Sequence, residues 1–292
     1  MEVIETVEAL ERHGDAPACV IATSADSDLA RRAADEMGLD LHPDRPRPRR
    51  PHAVVDGEQA DIVLAALGED REQHLVQIRS SGQGLLVIAP EAGFELVRAG
   101  LDKAAAGHRA GTWPAAVAIA LAVARRCDLV LDEIDDECQE LEDRATGYAS
   151  SPKRRTISRL RALLFRIQET QAAQQSMLAP DEELAQLLGP DQQTMLGRVA
   201  TAFAANRSTA TRLYAMLGDL LGEQDTLVSE RLTLVATIFM PLTLATGFFG
   251  MNFGWLTDSI GSLTSFVLFG LVLPAVLTAI TLACIHRLTR SS

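Results

Sequence analysis

Formal charge is missing from the last part of this chain. No residue from 232 to 257 carries one; Asp258 interrupts, and 259–285 is uncharged again. Elsewhere the absences are chemical. The four cysteines, Cys19, Cys127, Cys138 and Cys284, show no CxxC or CxxH spacing, which argues against a disulfide framework or a zinc site and for reduced thiols in a cytosolic compartment. The six histidines lack metal-ligand spacing: His42 and His52 flank a Pro-Arg stretch, His13, His74 and His108 stand alone, and His286 follows the second uncharged run. No nucleophile elbow, P-loop or Gly-rich dinucleotide fingerprint is present, so the chain is expected not to be an enzyme. A formal net charge of −12 argues against nucleic acid as a partner and favours the attraction of cations. Residues 1–13 are Glu-rich, without the basic start and apolar core of a cleavable signal peptide.

Each uncharged run exceeds the roughly 18 apolar residues that carry a helix across a bilayer. The two predict an all-helical membrane part of two C-terminal spans joined by a short loop. That loop has no Lys or Arg, whereas Arg231 precedes the first run and Arg287 and Arg290 follow the second. The bias predicts a multi-pass protein of the cell inner (plasma) membrane with both termini cytoplasmic.

Ahead of these runs the pattern is mixed. Short apolar or alternating stretches at 18–22, 53–55, 61–66, 74–78 and 85–88 predict strands, and 28–37 sets Leu29, Ala33 and Met37 at helical spacing. A helix is expected over 91–106, after Pro90 and with Gly107 as its C-terminal cap. Residues 42–52 (HPDRPRPRRPH) alternate Pro and Arg, which forces an extended, solvated segment: an exposed loop, or a contact for anionic lipid. From Trp113 onward everything reads as helix: to about Arg144, from Ser151 to about Met177, a short piece after Pro180, and a last segment from Asp191 to Phe249. In that segment Met195, Val199, Phe203, Ala210, Leu213, Leu217, Leu220, Leu227 and Leu232 recur at helical spacing. If continuous, it reaches roughly 90 Å at about 1.5 Å per residue. So long an amphipathic helix, entering a span directly, is expected to bundle with copies of itself.

Two helices of one chain cannot enclose a path for an ion, so a conducting form has to be an oligomer with one helix per subunit on its axis. The first span is the better lining. It holds Thr233, Thr237, Thr243 and Thr246, with Ala236, Ala245 and Gly247 small enough to permit close approach. Pro241 removes a backbone donor and frees the Thr237 carbonyl. Steps of three or four residues align Ser229, Leu232, Ala236, Met240, Thr243 and Gly247. As a lining, this stripe has apolar constrictions at Leu232 and Met240 and a hydroxyl ring at Thr243; as a helix–helix packing face it serves equally well. Beyond it, Gly250-Met251-Asn252 opens the loop. A ring of Asn252 carboxamides would hydrogen-bond a hydrated cation without gripping it, which suits Mg2+, a metal that sheds water reluctantly. Neither run contains a carboxylate to relay protons.

The stretch 236–253 (ATIFMPLTLATGFFGMNF) resembles the first membrane helix and signature motif of the CorA superfamily of divalent-cation transporters. The wider order, an α/β domain, helical hairpins, a long stalk helix, two spans and a short tail, is similar to that superfamily over most of the chain. The resemblance implies a homopentamer whose stalk helices line the pore, with Asn252 at the selectivity mouth and Gly250 and Met251 completing the motif. It implies pore-lining positions at Leu232, Met240 and Thr243. Phe249 rather than Tyr precedes the motif, and 253–262 offers only Asp258 as an acid. The Thr-Gly-Phe-Phe approach is closer to the zinc-transporting ZntB-like branch, which implies Zn2+ ahead of Mg2+ as the transported ion and no covalently bound cofactor.

An acidic run, Asp132, Glu133, Asp135, Asp136, Glu137, Glu140, Glu142 and Asp143, lies on one predicted helix, where Asp132, Asp136 and Glu140 share a face. Like charges at that spacing repel unless a cation or a basic partner neutralises them. One reading, allowed by the resemblance, is a divalent-cation sensor between subunits. The other is a solvated face, or pairing with Lys153, Arg154, Arg155 and Arg159 at the start of the next helix. The fold class expected is an α+β cytoplasmic domain in α/β/α layers with a long helical stalk and two C-terminal transmembrane helices. Its expected parts are an α/β domain (1–110), helical hairpins (111–190), stalk and first span (191–250), external loop (251–262), second span (263–285) and cytoplasmic tail (286–292). The expected partners are divalent cations, the lipid bilayer and further copies of the chain.

Overall fold

The computed structural model describes residues 2–13, 18–39, 41, 50–106, 111–143, 151–179, 182–249, 262–276, 278–280 and 283. Most of the Pro-Arg stretch, Gly107, and Gly250, Met251 and Asn252 lie outside the described residues. The chain divides into two compact units, Met1–Ala145 with Ser151–Gly218, and Thr146–Ser150 with Asp219–Ser292.

In the first unit, β1 (Glu2–Ile4), β2 (Ala18–Ala22), β3 (His52–Asp56), β4 (Gln59–Leu67), β5 (Gln73–Ser80) and β6 (Gly84–Ile88) form one six-stranded sheet in the order β1-β2-β6-β5-β4-β3. The β1–β2 and β2–β6 pairs are parallel, and the remaining pairs are antiparallel. All of β2 is buried, as a strand covered on both faces must be. Successive side chains alternate sides, so Cys19 and Ile21 join one core with Leu64, Ile78, Leu85, Val97, Ile119 and Val123. Ala18, Val20 and Ala22 join the other, with Leu10, Leu29, Ala33 and Met37. Helices α1 (Val7–Arg12) and α2 (Asp28–Met37) supply the second core, while α3 (Glu91–Ala106) and α4 (Thr112–Asp143) close the first. The layers are thus α/β/α, as the sequence predicts. Gly100 lets α3 and α4 come together: a Cβ there would stand 2.9 Å from the Ile119 Cα.

The Glu-rich start, which carries little apolar signal, folds as β1 and α1. Thr6 caps α1 by accepting the Ala9 N–H at 3.2 Å, and Ile4 and Leu10 bury against α2 and the sheet. Burial also explains the cysteines. Desolvation pushes the Cys19 and Cys127 thiols up to about 12 and Cys138 to about 11. They stay protonated and serve as packing groups.

Three helices continue the first unit. α5 (Ser151–Met177), the short α6 (Glu183–Gln186) and α7 (Pro190–Phe249) follow α4, and Leu196, Val199, Phe203, Ala210, Leu213 and Leu217 of α7 are buried. Asn206 donates to the Ala124 carbonyl at 2.8 Å, and further along Arg212 meets Asp135 at 2.8 Å, so α4 runs parallel to α7. Gln168 donates to the Ala210 carbonyl at 3.0 Å, while Arg161 stacks 4.4 Å above the Tyr214 ring. Hence α5 runs antiparallel to α7, and to α4. It also shields the sheet where β4 outruns β3: the Ala65 N–H donates to Gln174 Oε1 at 2.8 Å.

The second unit contains the remainder of α7, then α8 (Leu263–Val267) and a π-helical turn (Leu268–Val272). The turn ends two residues before Pro274, whose ring would crowd the Gly270 carbonyl in a regular helix.

Candidate functional site

Every described residue of the candidate lining lies on α7. Leu232, Ala236, Met240, Thr243 and Gly247 are all exposed, and their steps of four, four, three and four keep them within an arc of about 80° at roughly 3.6 residues per turn. Exposure does not single them out. From Leu232 to Gly247, where no residue is charged, none of the described side chains is buried, with Leu232 at 65%, Phe239 at 62% and Leu244 at 74%. An apolar surface of this extent, exposed on all sides of one helix, belongs in lipid or against further chains. Among the described residues, α7 is the one helix long and apolar enough to cross a membrane.

The threonine hydroxyls of this stretch are satisfied within the helix. Thr233, Thr237 and Thr243 each donate their hydroxyl to the carbonyl four residues back, at 2.8 Å. Thr246 reaches both the Leu242 and the Thr243 carbonyls. With the protons committed to backbone, each Oγ1 presents only acceptor lone pairs outward. That is the polarity needed to face a hydrated cation. The helix continues through Pro241, which has no N–H, so the Thr237 carbonyl has no donor four residues on.

Three residues of the acidic run of α4, Glu133, Asp135 and Glu137, take arginine partners from distant parts of the first unit. Arg71 Nη2 lies 2.7 Å from Glu137 and 3.4 Å from Glu133, and the Glu137 hydrogen bond raises the Arg71 pKa above its ordinary value. Arg212 takes Asp135. Of the four basic residues expected to pair with the run, Lys153, Arg154, Arg155 and Arg159, the last two make no ion pair among the described residues. Neither Arg71 nor Arg212 carries a local sequence signal. Arg71 sits at the tip of the β4–β5 hairpin, at φ 62°, which only the tertiary fold brings to α4. Asp132, Asp136 and Glu140 share the exposed face of α4, opposite buried Leu131, Ile134 and Cys138. Among the described residues, no three His, Cys, Asp or Glu side chains of the chain gather as a metal site.

Comparison with known proteins places this geometry. Residues 71–287 match the family described as CorA-like Mg2+ transporter protein. The fold is similar to that of the complete CorA magnesium transporter from Methanocaldococcus jannaschii, with a TM-score of 0.67 at 17% identity over 92% of this chain and 89% of that one. The soluble domain of CorA from the same organism gives 0.56 at 15% identity, over 66% of this chain and 81% of that one. The full-length CmaX protein gives 0.55 at 14%, over 91% and 83%. No curated protein sequence matches. At these identities the solved structures speak to fold, an α/β domain followed by a long helix. The family match spans most of the sequence, from the β5 hairpin to the end of the second uncharged run, and on it the chain belongs to the CorA-like Mg2+ transporter family.

Proposed function

We propose that the chain conducts divalent metal cations through a homopentameric pore in the inner membrane. Residues 191–250 form the stalk and the first span and 263–285 the second span, joined by the external loop 251–262, with both termini cytoplasmic. Leu232, Ala236, Met240, Thr243 and Gly247 face the axis. Asn252, with Gly250 and Met251, forms the mouth, where its carboxamide holds the ion through retained water. The observation that carries this reading is the uncharged stretch of α7, apolar on all sides yet studded with hydroxyls whose acceptor lone pairs point outward. A tether alone needs no such oxygens. Zn2+ is favoured over Mg2+ because Thr246-Gly247-Phe248-Phe249 precedes the motif and the loop after it holds Asp258 as its sole acid.

Metal flux into proteoliposomes tests this directly, with Zn2+ and Mg2+ compared in the presence and absence of a pH gradient. The expected result is Zn2+ flux exceeding Mg2+ flux, and its loss or deselection in Asn252→Ala while the assembled oligomer keeps its mass. Unchanged flux in that variant would remove Asn252 from the mouth. No flux of either ion in the parent would leave a non-conducting membrane-anchored scaffold.

A further inference from the structure

We propose that the exposed face of α4 docks against the exposed face of α5 of a second copy, antiparallel and head to tail. This rests on the oligomeric reading above but adds a surface in the first unit.

The two faces are complementary in charge and in spacing. On α4, Leu129, Asp132, Asp136 and Glu140 follow one another by three or four residues and point away from the buried side of the helix. On α5, Arg155, Arg159, Ala162 and Arg166 do the same, opposite buried Ile157, Leu160, Leu164 and Ile167. Asp132, Asp136, Arg155, Arg159 and Arg166 form no ion pair among the described residues. Each face also carries a large apolar side chain at one end. Leu129 is 55% exposed and Phe165, on the rim of the arginine stripe, is 53% exposed, and no other helix of the first unit exposes a large hydrophobic among the described residues.

The order along each helix fixes the register. The apolar end of the α4 stripe is N-terminal and that of the α5 stripe is C-terminal, so the stripes match only when the helices run antiparallel. Leu129 to Glu140 and Arg155 to Arg166 span the same length, about 16 Å at roughly 1.5 Å per residue. Setting Asp136 against Arg159 places Glu140 by Arg155, Asp132 between Arg159 and Arg166, and Leu129 over Phe165. Copies arranged around an axis parallel to α7 meet this requirement without adjustment, because α4 runs with α7 and α5 against it. Two different faces meeting in this way make a heterologous contact, the kind that closes a ring. Charge pairs on such a rim set register and partner choice more than affinity. The occupant is therefore another copy of this chain, held in one rotational setting.

The test uses the full chain in membranes, carrying Asp136→Cys with Arg159→Cys and treated with a short thiol–thiol cross-linker. The expected product is a ladder of covalent multimers, since the native thiols of the first unit are buried. Adding Glu140→Arg should cut the multimer yield about tenfold, as two like charges then face each other. Adding Arg155→Glu to that variant should restore it. Monomer alone after cross-linking, in a chain whose native mass in detergent is oligomeric, would overturn this interface and leave the pore reading standing. A parent that is monomeric by native mass would overturn both. A multimer yield indifferent to the reversal would also refute the pairing.

Discussion

Between Leu196 and Leu217, α7 buries Val199, Phe203, Ala210, Leu213 and Leu217 and gives the Asn206 amide to the Ala124 carbonyl. Between Leu232 and Gly247 the same helix buries none of its described side chains, although no residue there carries a charge. The backbone is equally helical in both stretches. What differs is the medium each was selected for. The first follows the amphipathic pattern of a helix beside water, with its polar face outward. The second has hydrophobic residues on every side and hydroxyls turned inward to the backbone, which is how a helix satisfies itself where no water is available. Exposure in one chain therefore has opposite meanings along the helix: near the sheet it marks a solvated face, and from Leu232 onward it marks a surface suited to lipid or other copies.

The largest expected contrast is between two phenylalanines on that helix. Phe203 has no exposed surface, so Phe203→Ala should lose about 3–5 kcal/mol through lost burial and the cavity left behind. Phe239 is 62% exposed, and Phe239→Ala should stay within about 0.5 kcal/mol of the parent. Urea unfolding of the two variants in detergent reads the gap. Equal losses would mean that residue 239 packs inside the folded chain and that the contrast between the two stretches is false.

A lysine placed on either side of the second stretch sharpens the comparison. Leu234 lies on the side of α7 away from the candidate lining, and Leu234→Lys should cost about 2.5–3.5 kcal/mol of membrane integration. Met240→Lys, inside the lining arc, should integrate nearly as the parent does, because its amine reaches water, yet block metal flux by adding a ring of positive charge. Measuring integrated fraction and flux on both variants checks the sidedness that burial within one chain leaves open. If both lysines impair integration alike, the arc faces lipid, and the packing-face alternative gains.

Much of this architecture is legible in the sequence, for reasons that differ by element. Strand β2 and helices α2, α3 and α5 fall where periodicity puts them, because strands and helices that bury one or two faces write period into the chain. The first strand and helix escape that test: three residues of β1 and six of α1 bury only Ile4 and Leu10 between them. The acidic run of α4 is visible as composition, but its partners are not. Arg71 and Arg212 reach it from 62 and 77 residues away, and no local pattern encodes contacts made by a hairpin tip or a distant helix. The candidate lining is legible as an arc because angular position depends only on helical geometry. Which side of that arc faces the axis depends on neighbouring copies, which the sequence names only through family resemblance.

The smallest effect concerns Arg71, whose ion pairs join the tip of the β4–β5 hairpin to α4. Arg71 holds φ at 62°, a region costly for any residue with a Cβ, and in return places its guanidinium against Glu137 and Glu133. Arg71→Ala keeps the backbone cost and loses both ion pairs, which at a partly exposed site amounts to about 0.2–1 kcal/mol. Arg71→Gly loses the same pairs but relieves the backbone, so it should unfold at higher urea than Arg71→Ala, by roughly 0.5–1 kcal/mol after the entropy glycine adds to the unfolded chain. Salt separates the two contributions. At about 1 M, screening should shrink the gap between parent and Arg71→Ala, while the gap between the alanine and glycine variants, which is steric, should stay as it is. A glycine variant no better than alanine would mean that the turn, fixed by the Arg71 N–H to the Gly68 carbonyl at 3.2 Å and by the Glu72 N–H to Asp70 Oδ1 at 2.9 Å, sets that conformation without strain.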